Sequence, residues 1–325
     1  MTKQADSAAL KPFEPPRRVI IPAPSYQVLT RRGEIDHEGR EKAIASIESL
    51  GMIPTLMGGV FEQTARFAGT DEVRARDFET ALLSEDADLV MPLRGGYGMT
   101  RLLHLLDWQK IASARVPVVG FSDFTAFNLA LLAMTGRYSW QGPMLMSFAD
   151  PDPFMAERFR VVFGENPGPL AWEAEPALLG DMPKQFERTG TLWGGNLCLI
   201  ESLLGTRWFP YEETGSGILF LEDVGEAAYR VERMLLSLLE SGVLHRQRAI
   251  LFGAFTNADD AVRFEGDQTL ARTLGYIRSR LPGSIPMVTG LPFGHIDRKA
   301  TLPVGLPATL SLDGRRARLS WRMPS

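Results

Sequence analysis

The stretch of this 325-residue sequence best suited to chemistry is Gly120-Phe-Ser-Asp-Phe124, which follows the apolar run Val116 to Val119. The run is β-branched and ends at a glycine, as central parallel strands do, and helical spacing of apolar residues begins after it. Ser122 then lies at a strand-to-helix turn, where an exposed hydroxyl beside helix-start N–H groups suits a nucleophile. Ser-Asp is also a favoured helix N-cap, and Phe124 replaces the second glycine of the Gly-x-Ser-x-Gly motif. Both interpretations stay open on this stretch alone.

Two candidate partners for a serine nucleophile follow later in the chain. Glu222 ends an apolar strand, and His295 stands in the loop Pro292-Phe-Gly-His-Ile-Asp297. A strand-end carboxylate and a loop histidine are each common without any catalytic role. The order serine, acid, histidine is that of nucleophile, acid and base in α/β-hydrolases, where the histidine takes the serine proton and the acid orients the histidine. The order permits a triad of Ser122, Glu222 and His295 but does not require one.

A glycine-rich segment, Arg94-Gly-Gly-Tyr-Gly98, follows a predicted strand and precedes a predicted helix. Glycines there let backbone N–H groups approach an anion closely, although neither the dinucleotide-binding nor the Walker spacing is met. In a doubly wound sheet this loop and the Ser122 turn reach the same edge. We therefore expect an oxyanion hole formed by the N–H of Gly95 or Gly96 together with that of Asp123.

The elements that must position these residues fall into two parts. Strands and helices alternate over residues 1–150 once a polar arm has passed, which is typical of a doubly wound, mostly parallel α/β sheet. Residues 151–188 are rich in Pro, Asp, Glu and Gly and are predicted to be a linker with one short helix. Residues 189–325 are predicted to form a smaller, β-rich α+β domain that carries Glu222 and His295 and ends in a hairpin turned at Asp313-Gly314.

Composition narrows the function. The net charge of −4 argues against a general nucleic-acid-binding protein. Cys198 is the one cysteine, so an internal disulfide is impossible, and the four histidines have no metal-ligand spacing. We expect neither metal nor cofactor. Residues 1–18 contain no apolar signal segment and no run is long enough to span a bilayer, so we expect a cytoplasmic protein with no membrane partner.

Six motifs together resemble one family, the serine LD-carboxypeptidases, from about Val19 to Trp321. That family contains the cytoplasmic muramoyltetrapeptide carboxypeptidases of peptidoglycan recycling and the microcin-immunity hydrolases. The motifs occur in the family's order: Arg94-Gly-Gly-Tyr-Gly98, Gly120-Phe-Ser-Asp-Phe-Thr125, Gly142-Pro-Met144, Gly190-Thr-Leu-Trp-Gly-Gly-Asn-Leu197, Leu221-Glu-Asp223 through Tyr229-Arg-Val-Glu-Arg233, and Gly294-His295 through Leu302-Pro-Val-Gly305.

The resemblance implies a catalytic triad of Ser122, Glu222 and His295, an oxyanion hole near Gly96 and Asp123, and no metal. It also implies a two-domain fold, usually in a homodimer, and a murein tetrapeptide or muropeptide substrate from which terminal D-alanine is released. Further substrate contacts are expected from Gly95, Tyr97, Trp193, Arg94 and Arg230. Either of the two arginines is a candidate for binding the D-alanine carboxylate.

Two other functions stay open at this stage. One is hydrolysis of an aminoacyl-nucleotide amide, as in the microcin-immunity branch, where Trp193 could stack on the base; the alternative role for Trp193 is packing in the core. The other is a catalytically silent binding protein that uses the glycine loop for a ligand carboxylate. The runs Gly190 to Asn196 and Glu222 to Glu226 resemble the recycling enzymes more closely than the immunity hydrolases.

Overall fold

The computed structural model describes residues 17–163, 168–175 and 184–323. Residues 1–16 of the predicted N-terminal arm lie outside these ranges, as do residues 164–167 and 176–183 of the predicted linker. Within the described ranges the fold is mixed α/β, with three sheets and helices between the strands.

The first sheet is parallel and has the strand order β2-β1-β3. Two single-residue parallel bridges continue this sheet. Val90 on β3 pairs with Val118 in the strand segment before Ser122, and Val119 of that segment pairs with Trp140 on β4. β10 then pairs antiparallel with β4. The five parallel segments, counted along the chain, are β1, β2, β3, the segment before Ser122 and β4. They lie side by side in the order 2-1-3-4-5, a doubly wound order whose direction reverses between β1 and β3. The strands are β1 (Arg17–Ile21), β2 (Met52–Leu56), β3 (Leu89–Val90), β4 (Ser139–Gln141) and β10 (Leu302–Val304).

Five helices connect the strands of this sheet. Three of them begin with side-chain caps at Asp36, Thr70 and Asp107, whose oxygens accept backbone N–H groups of the first turn. The helix after Ser122 has no such cap, because a 3-10 turn over Ser122–Phe124 leads directly into it. The helices are α1 (His37–Ser49), α2 (Asp71–Leu82), α3 (Met99–Leu102), α4 (Trp108–Ser113) and α5 (Thr125–Thr135).

The second large sheet has seven strands in the order β5-β12-β11-β6-β7-β8-β9. Pairing is antiparallel from β5 to β6 and parallel from β6 to β9. The strands are β5 (Leu170–Glu173), β6 (Gln185–Asn196), β7 (Ile218–Val224), β8 (Ala249–Thr256), β9 (Met287–Val288), β11 (Leu306–Asp313) and β12 (Arg316–Trp321). The accompanying helices are α6 (Pro153–Val162), α7 (Leu197–Ser202), α8 (Ala228–Glu240) and α9 (Leu270–Arg280).

The prediction of a linker over residues 151–188 is wrong for two segments. β5 and the first residues of β6 belong to the seven-stranded sheet. In β5, Leu170 and Trp172 are buried and the residues between and after them are exposed, which is the period of two that a half-buried strand requires. The C-terminal part is β-rich, as predicted, and its sheet is the larger one.

The two sheets meet at the start of α5. The Gln141 amide on β4 donates to Thr125 Oγ1 at 2.9 Å and to the carbonyl of Gly194 on β6 at 3.1 Å. The backbone N–H of Asn196 also donates to Thr125 Oγ1, at 3.1 Å. Because Thr125 is three residues after Ser122, these buried bonds hold the carboxyl ends of β6 and β7 against the turn that carries the serine.

Candidate active site

Ser122 lies on a strained turn. Its φ of +64° is in the left-handed region, which non-glycine residues seldom adopt, and such strain is characteristic of a nucleophile placed at a strand-to-helix corner. Phe124, which replaces the second glycine of the motif, makes the first glycine necessary: a Cβ on Gly120 would lie 2.6 Å from the ring of Phe124. Phe124 is fully buried against Phe78 and Phe127, so the ring occupies core space behind the turn and leaves the hydroxyl side open.

The structure brings Ser122, His295 and Glu222 into one hydrogen-bonded chain. His295 Nε2 lies 2.9 Å from Ser122 Oγ, and His295 Nδ1 lies 2.7 Å from Glu222 Oε2. A carboxylate can only accept, so we assign the ring proton to Nδ1, which leaves Nε2 free to accept from the serine hydroxyl. Glu222 has no exposed surface, whereas the His295 side chain keeps 21% of its surface exposed towards the site. The arrangement can deprotonate the serine hydroxyl and orient the imidazole that does so.

Glu222 is held by its neighbours on β6 and on the histidine loop. Asn196 Nδ2 donates to Glu222 Oε1 at 3.3 Å and to Asp223 Oδ1 at 3.0 Å. Gly294 has a φ of +126°, and a Cβ there would lie 3.1 Å from Glu222 Oε2. The glycine therefore permits the close approach that places His295 on the carboxylate.

Asp223, next to Glu222, faces away from the histidine. Its carboxylate accepts the N–H groups of Cys198 at 2.9 Å and of Val224 at 2.8 Å. Burial, reinforced by the neighbouring charge of Glu222, raises the pKa of Asp223 to about 6. This second carboxylate holds the start of α7 in place and has no contact with His295.

The glycine loop lies directly against the serine. A Cβ on Gly95 would lie 3.0 Å from Ser122 Cβ and 3.2 Å from its Oγ, so only glycine fits there without displacement. Gly96 has a φ of +116°, and a Cβ there would enter the ring of Tyr26. Among the described residues, no backbone hydrogen bond uses the N–H of Gly96 or that of Asp123. Both donors are thus available to an oxyanion beside Ser122 Oγ.

The Asp123 side chain connects three loops at the sheet edge, a role that the sequence did not indicate. Its Oδ2 accepts Ser25 Oγ–H at 2.6 Å and the Met99 N–H at 2.9 Å. The carboxyl is buried, and burial raises its pKa although these hydrogen bonds act in the opposite direction. Ser25 follows β1 and Met99 follows the glycine loop, so one carboxyl fixes both against the nucleophile turn. The Pro22-Ala-Pro-Ser25 run at the end of β1 was the available signal for this contact.

The residues predicted to contact substrate differ in their exposure and in their partners. Tyr97 is 46% exposed beside the rings of Tyr26 and Phe67, and Arg94 is half-buried next to Gly95. Arg230 is on the first turn of α8, where its guanidinium is paired with the carboxylate of Glu226.

Trp193 has no exposed surface: its Nε1–H donates to Gln247 Oε1 at 2.9 Å, and its ring packs edge-on against Phe209. This placement contradicts the prediction that Trp193 contacts substrate. Trp193 is a residue of β6 whose side chain is part of the hydrophobic core.

Side chains that could ligate a metal ion are dispersed over the described residues. No group of three or more His, Cys, Asp or Glu side chains within those residues could hold one. None of the helices in the same ranges has both the length and the apolar character that a bilayer-spanning segment needs.

Comparison with known proteins places the chain in a family. Residues 19–142 match the family model of the LD-carboxypeptidase N-terminal domain, and residues 189–310 match that of the LD-carboxypeptidase C-terminal domain. The chain is 32% identical over 314 residues to the murein tetrapeptide carboxypeptidase of Pseudomonas aeruginosa, covering 93% of this chain and 94% of that protein. It is 26% identical over 275 residues to the microcin C7 self-immunity protein of Escherichia coli, covering 76% of this chain and 78% of that protein.

A solved structure extends the similarity to three dimensions. The muramoyltetrapeptide carboxypeptidase from Oxalobacter formigenes superimposes with a TM-score of 0.81 at 37% identity, covering 95% of this chain and all of that one. Both family models, a full-length relative above 30% identity and this superposition lead to one conclusion: the chain belongs to the LD-carboxypeptidase family.

Proposed function

We propose that this protein is a serine LD-carboxypeptidase that releases terminal D-alanine from murein tetrapeptides during peptidoglycan recycling. The observation that carries the proposal is the hydrogen-bonded chain Ser122–His295–Glu222, with heavy-atom distances of 2.9 and 2.7 Å. The relatives whose names include murein peptides support the choice of substrate class.

In the proposed mechanism His295 Nε2 takes the proton as Ser122 Oγ attacks the carbonyl that joins the L-centre of diaminopimelate to D-alanine. Glu222 keeps the imidazole in the reactive tautomer and stabilises the imidazolium. The proton then passes to the departing amine, D-alanine leaves, and a water activated by the same histidine hydrolyses the acyl-enzyme.

The oxyanion of each tetrahedral intermediate is proposed to lie between the N–H groups of Gly96 and Asp123. Their availability and the contact between Gly95 and Ser122 support this position. The buried Asp123 carboxyl fixes the positions of the two donors because it accepts hydrogen bonds from Ser25 after β1 and from Met99 at the end of the glycine loop.

We further propose that residues 1–150 and 189–325 are two domains and that the protein works as a homodimer in the cytoplasm. β5 and the start of β6 extend the sheet of the second domain, and β10 pairs with β4 of the first. The separate N- and C-terminal family models support the division, and a recycling role supports the compartment. Light scattering on the purified protein would measure its mass in solution, and a mass of one chain would refute the dimer.

The substrate is tested by incubating the protein with three murein peptides and analysing the products by mass spectrometry. We expect release of D-alanine from the tetrapeptide, little action on its terminal L-alanine epimer, and little on the pentapeptide, whose last bond joins two D-centres. An epimer exchanges methyl and hydrogen and so displaces the carbonyl from Ser122, and small displacements cost roughly a hundred-fold. The Ser122→Ala variant is the matched control.

The comparison substrate is an aminoacyl-nucleotide amide. Comparable rates on all three peptides, or a strong preference for the nucleotide amide, would refute the proposal. The buried position of Trp193 leaves that ring unable to stack on a base in this conformation, which favours the peptide.

A further inference from the structure

Arg94 is a half-buried cation with no hydrogen-bond or ion-pair partner among the described residues. Across the described residues its guanidinium makes no hydrogen bond, ion pair or cation–π contact, in contrast to Arg230, which is paired with Glu226. Burial lowers the pKa of Arg94, and the nearby positive charge of Arg66 lowers it further. Partly burying a charge that nothing neutralises is costly, and such groups are concentrated at binding sites.

A second cation, Arg66, lies close enough to Arg94 for the two charges to interact. The Arg66 guanidinium stacks 4.7 Å from the centroid of the Tyr26 ring, the ring that lies against Gly96. Arg66 has no carboxylate partner within the described residues either. Two like charges near one another and without a counter-charge produce a positive potential that a ligand anion can satisfy.

The position of Arg94 relative to the reacting atoms is set by the chain itself. Gly95, the next residue, lies in contact with the Ser122 side chain. In a peptide whose last residue is the leaving group, the terminal carboxylate is three bonds from the scissile carbonyl carbon. An arginine side chain is long enough to reach from beside Gly95 to such a carboxylate, and its planar fork can bind both oxygens.

We propose that Arg94 binds the free carboxylate of the leaving residue and that Arg66 adds positive potential at the rim of the same subsite. Arg94 is thereby the residue that makes the enzyme a carboxypeptidase, because it selects peptides that end one residue after the scissile bond. This inference rests on the proposed function and chooses between the two arginines that the sequence left open.

The test compares two substrates, the murein tetrapeptide and the same peptide with a C-terminal carboxamide, on wild type and variants. Wild type should prefer the free acid. Arg94→Gln should lower kcat/KM for the acid by roughly ten- to a hundred-fold, because a charge-assisted bidentate contact is lost. The same variant should change kcat/KM for the carboxamide little, because that peptide lacks the carboxylate that Arg94 binds. The effects of removing the guanidinium and of removing the carboxylate should therefore not be additive. Arg94→Lys should recover part of the preference, since it restores the charge but not the fork.

Matched controls separate this subsite from a general effect of charge or fold. Arg318→Gln removes an exposed arginine on β12 and should leave both rates unchanged. Labelling of Ser122 by a serine-reactive probe reports whether each variant keeps an assembled active site.

Three outcomes would contradict the assignment. Equal losses on acid and carboxamide in a variant that still labels would overturn it, as would loss of labelling in both Arg94 variants. If the preference for the free acid disappeared in Arg230→Gln but not in Arg94→Gln, Arg230 would be the residue that binds the carboxylate. If wild type cleaves neither peptide, the proposed substrate fails instead, which is a distinguishable result.

Discussion

Replacing Glu222 by glutamine should impair catalysis far more than replacing its neighbour Asp223 by asparagine. Glu222 Oε2 accepts from His295 Nδ1 at 2.7 Å, while Oε1 accepts from Asn196 Nδ2 at 3.3 Å. A glutamine can satisfy only one of these donors. If its oxygen faces His295, its amide opposes the Asn196 amide; if its amide faces His295, the histidine must carry its proton on Nε2 and can no longer accept from Ser122.

The expected cost of Glu222→Gln follows from that geometry. The variant loses a fully buried negative charge that stabilises the imidazolium, and it favours the unreactive tautomer. We expect kcat to fall by roughly 10³- to 10⁴-fold, or about 4–5.5 kcal/mol of transition-state stabilisation. Glu222→Asp is a useful companion, because it keeps the charge but withdraws it from the histidine.

For Asp223→Asn the effect should fall on stability. The new amide replaces one acceptor oxygen and leaves a donor such as the Cys198 N–H without a partner, at a cost of about 1–3 kcal/mol in the free energy of unfolding. The rate should fall less than about ten-fold, because no contact with His295 is lost. Steady-state release of D-alanine and thermal unfolding, measured on both variants, separate the two effects. A larger rate loss in Asp223→Asn than in Glu222→Gln would refute the assignment of the acid.

Three further predictions concern pH, metal and packing. Because burial raises the pKa of Asp223 to about 6 from an ordinary value of 3.8, the folded protein binds a proton that the unfolded chain has released between these pH values. The stability contributed by Asp223 should therefore fall by about 2–3 kcal/mol as pH rises from 4 to above 6. Chemical denaturation should show the wild-type advantage over Asp223→Asn shrinking over that window, and a constant difference would contradict the buried charge. Chelation with EDTA should leave the release of D-alanine unchanged, and a loss of activity that zinc restores would contradict the serine mechanism. Trp193→Phe should lower the free energy of unfolding by about 1–2 kcal/mol, because Gln247 Oε1 loses its donor, and leave KM unaltered; a raised KM at wild-type stability would return Trp193 to the substrate site.

Local sequence was informative where one turn or strand end determines a side chain's position. Ser122 could be singled out because a β-branched run, a glycine and helical spacing follow one another within a few residues. The distance from Ser122 to His295 could not, since 173 residues separate them and their meeting depends on how two sheets pack. The same limit applies to Ser25 and Asp123, which are 98 residues apart.

Composition misled the prediction after residue 150, where an acidic, proline-containing segment concealed the short strand β5, whose alternation spans only Leu170–Glu173. The segment predicted as a strand before Ser122 does pair in parallel on both sides, through single bridges at Val118 and Val119. Its ladder is short because Pro117 has no N–H to donate. Trp193 was ambiguous for another reason: an indole can stack on a ligand or pack in a core, and the partner that decides, Gln247, is remote in sequence.

The most direct test of the central claim, that Ser122 is the nucleophile, is covalent labelling. A fluorophosphonate probe should add one equivalent to the wild-type protein, and peptide mass spectrometry should place the added mass on Ser122. His295→Ala should label much more slowly, because the base that activates Oγ is missing. Ser122→Ala should neither label nor release D-alanine above roughly a thousandth of the wild-type rate. Near-normal turnover in Ser122→Ala, or a label on another residue of an active enzyme, would contradict the account.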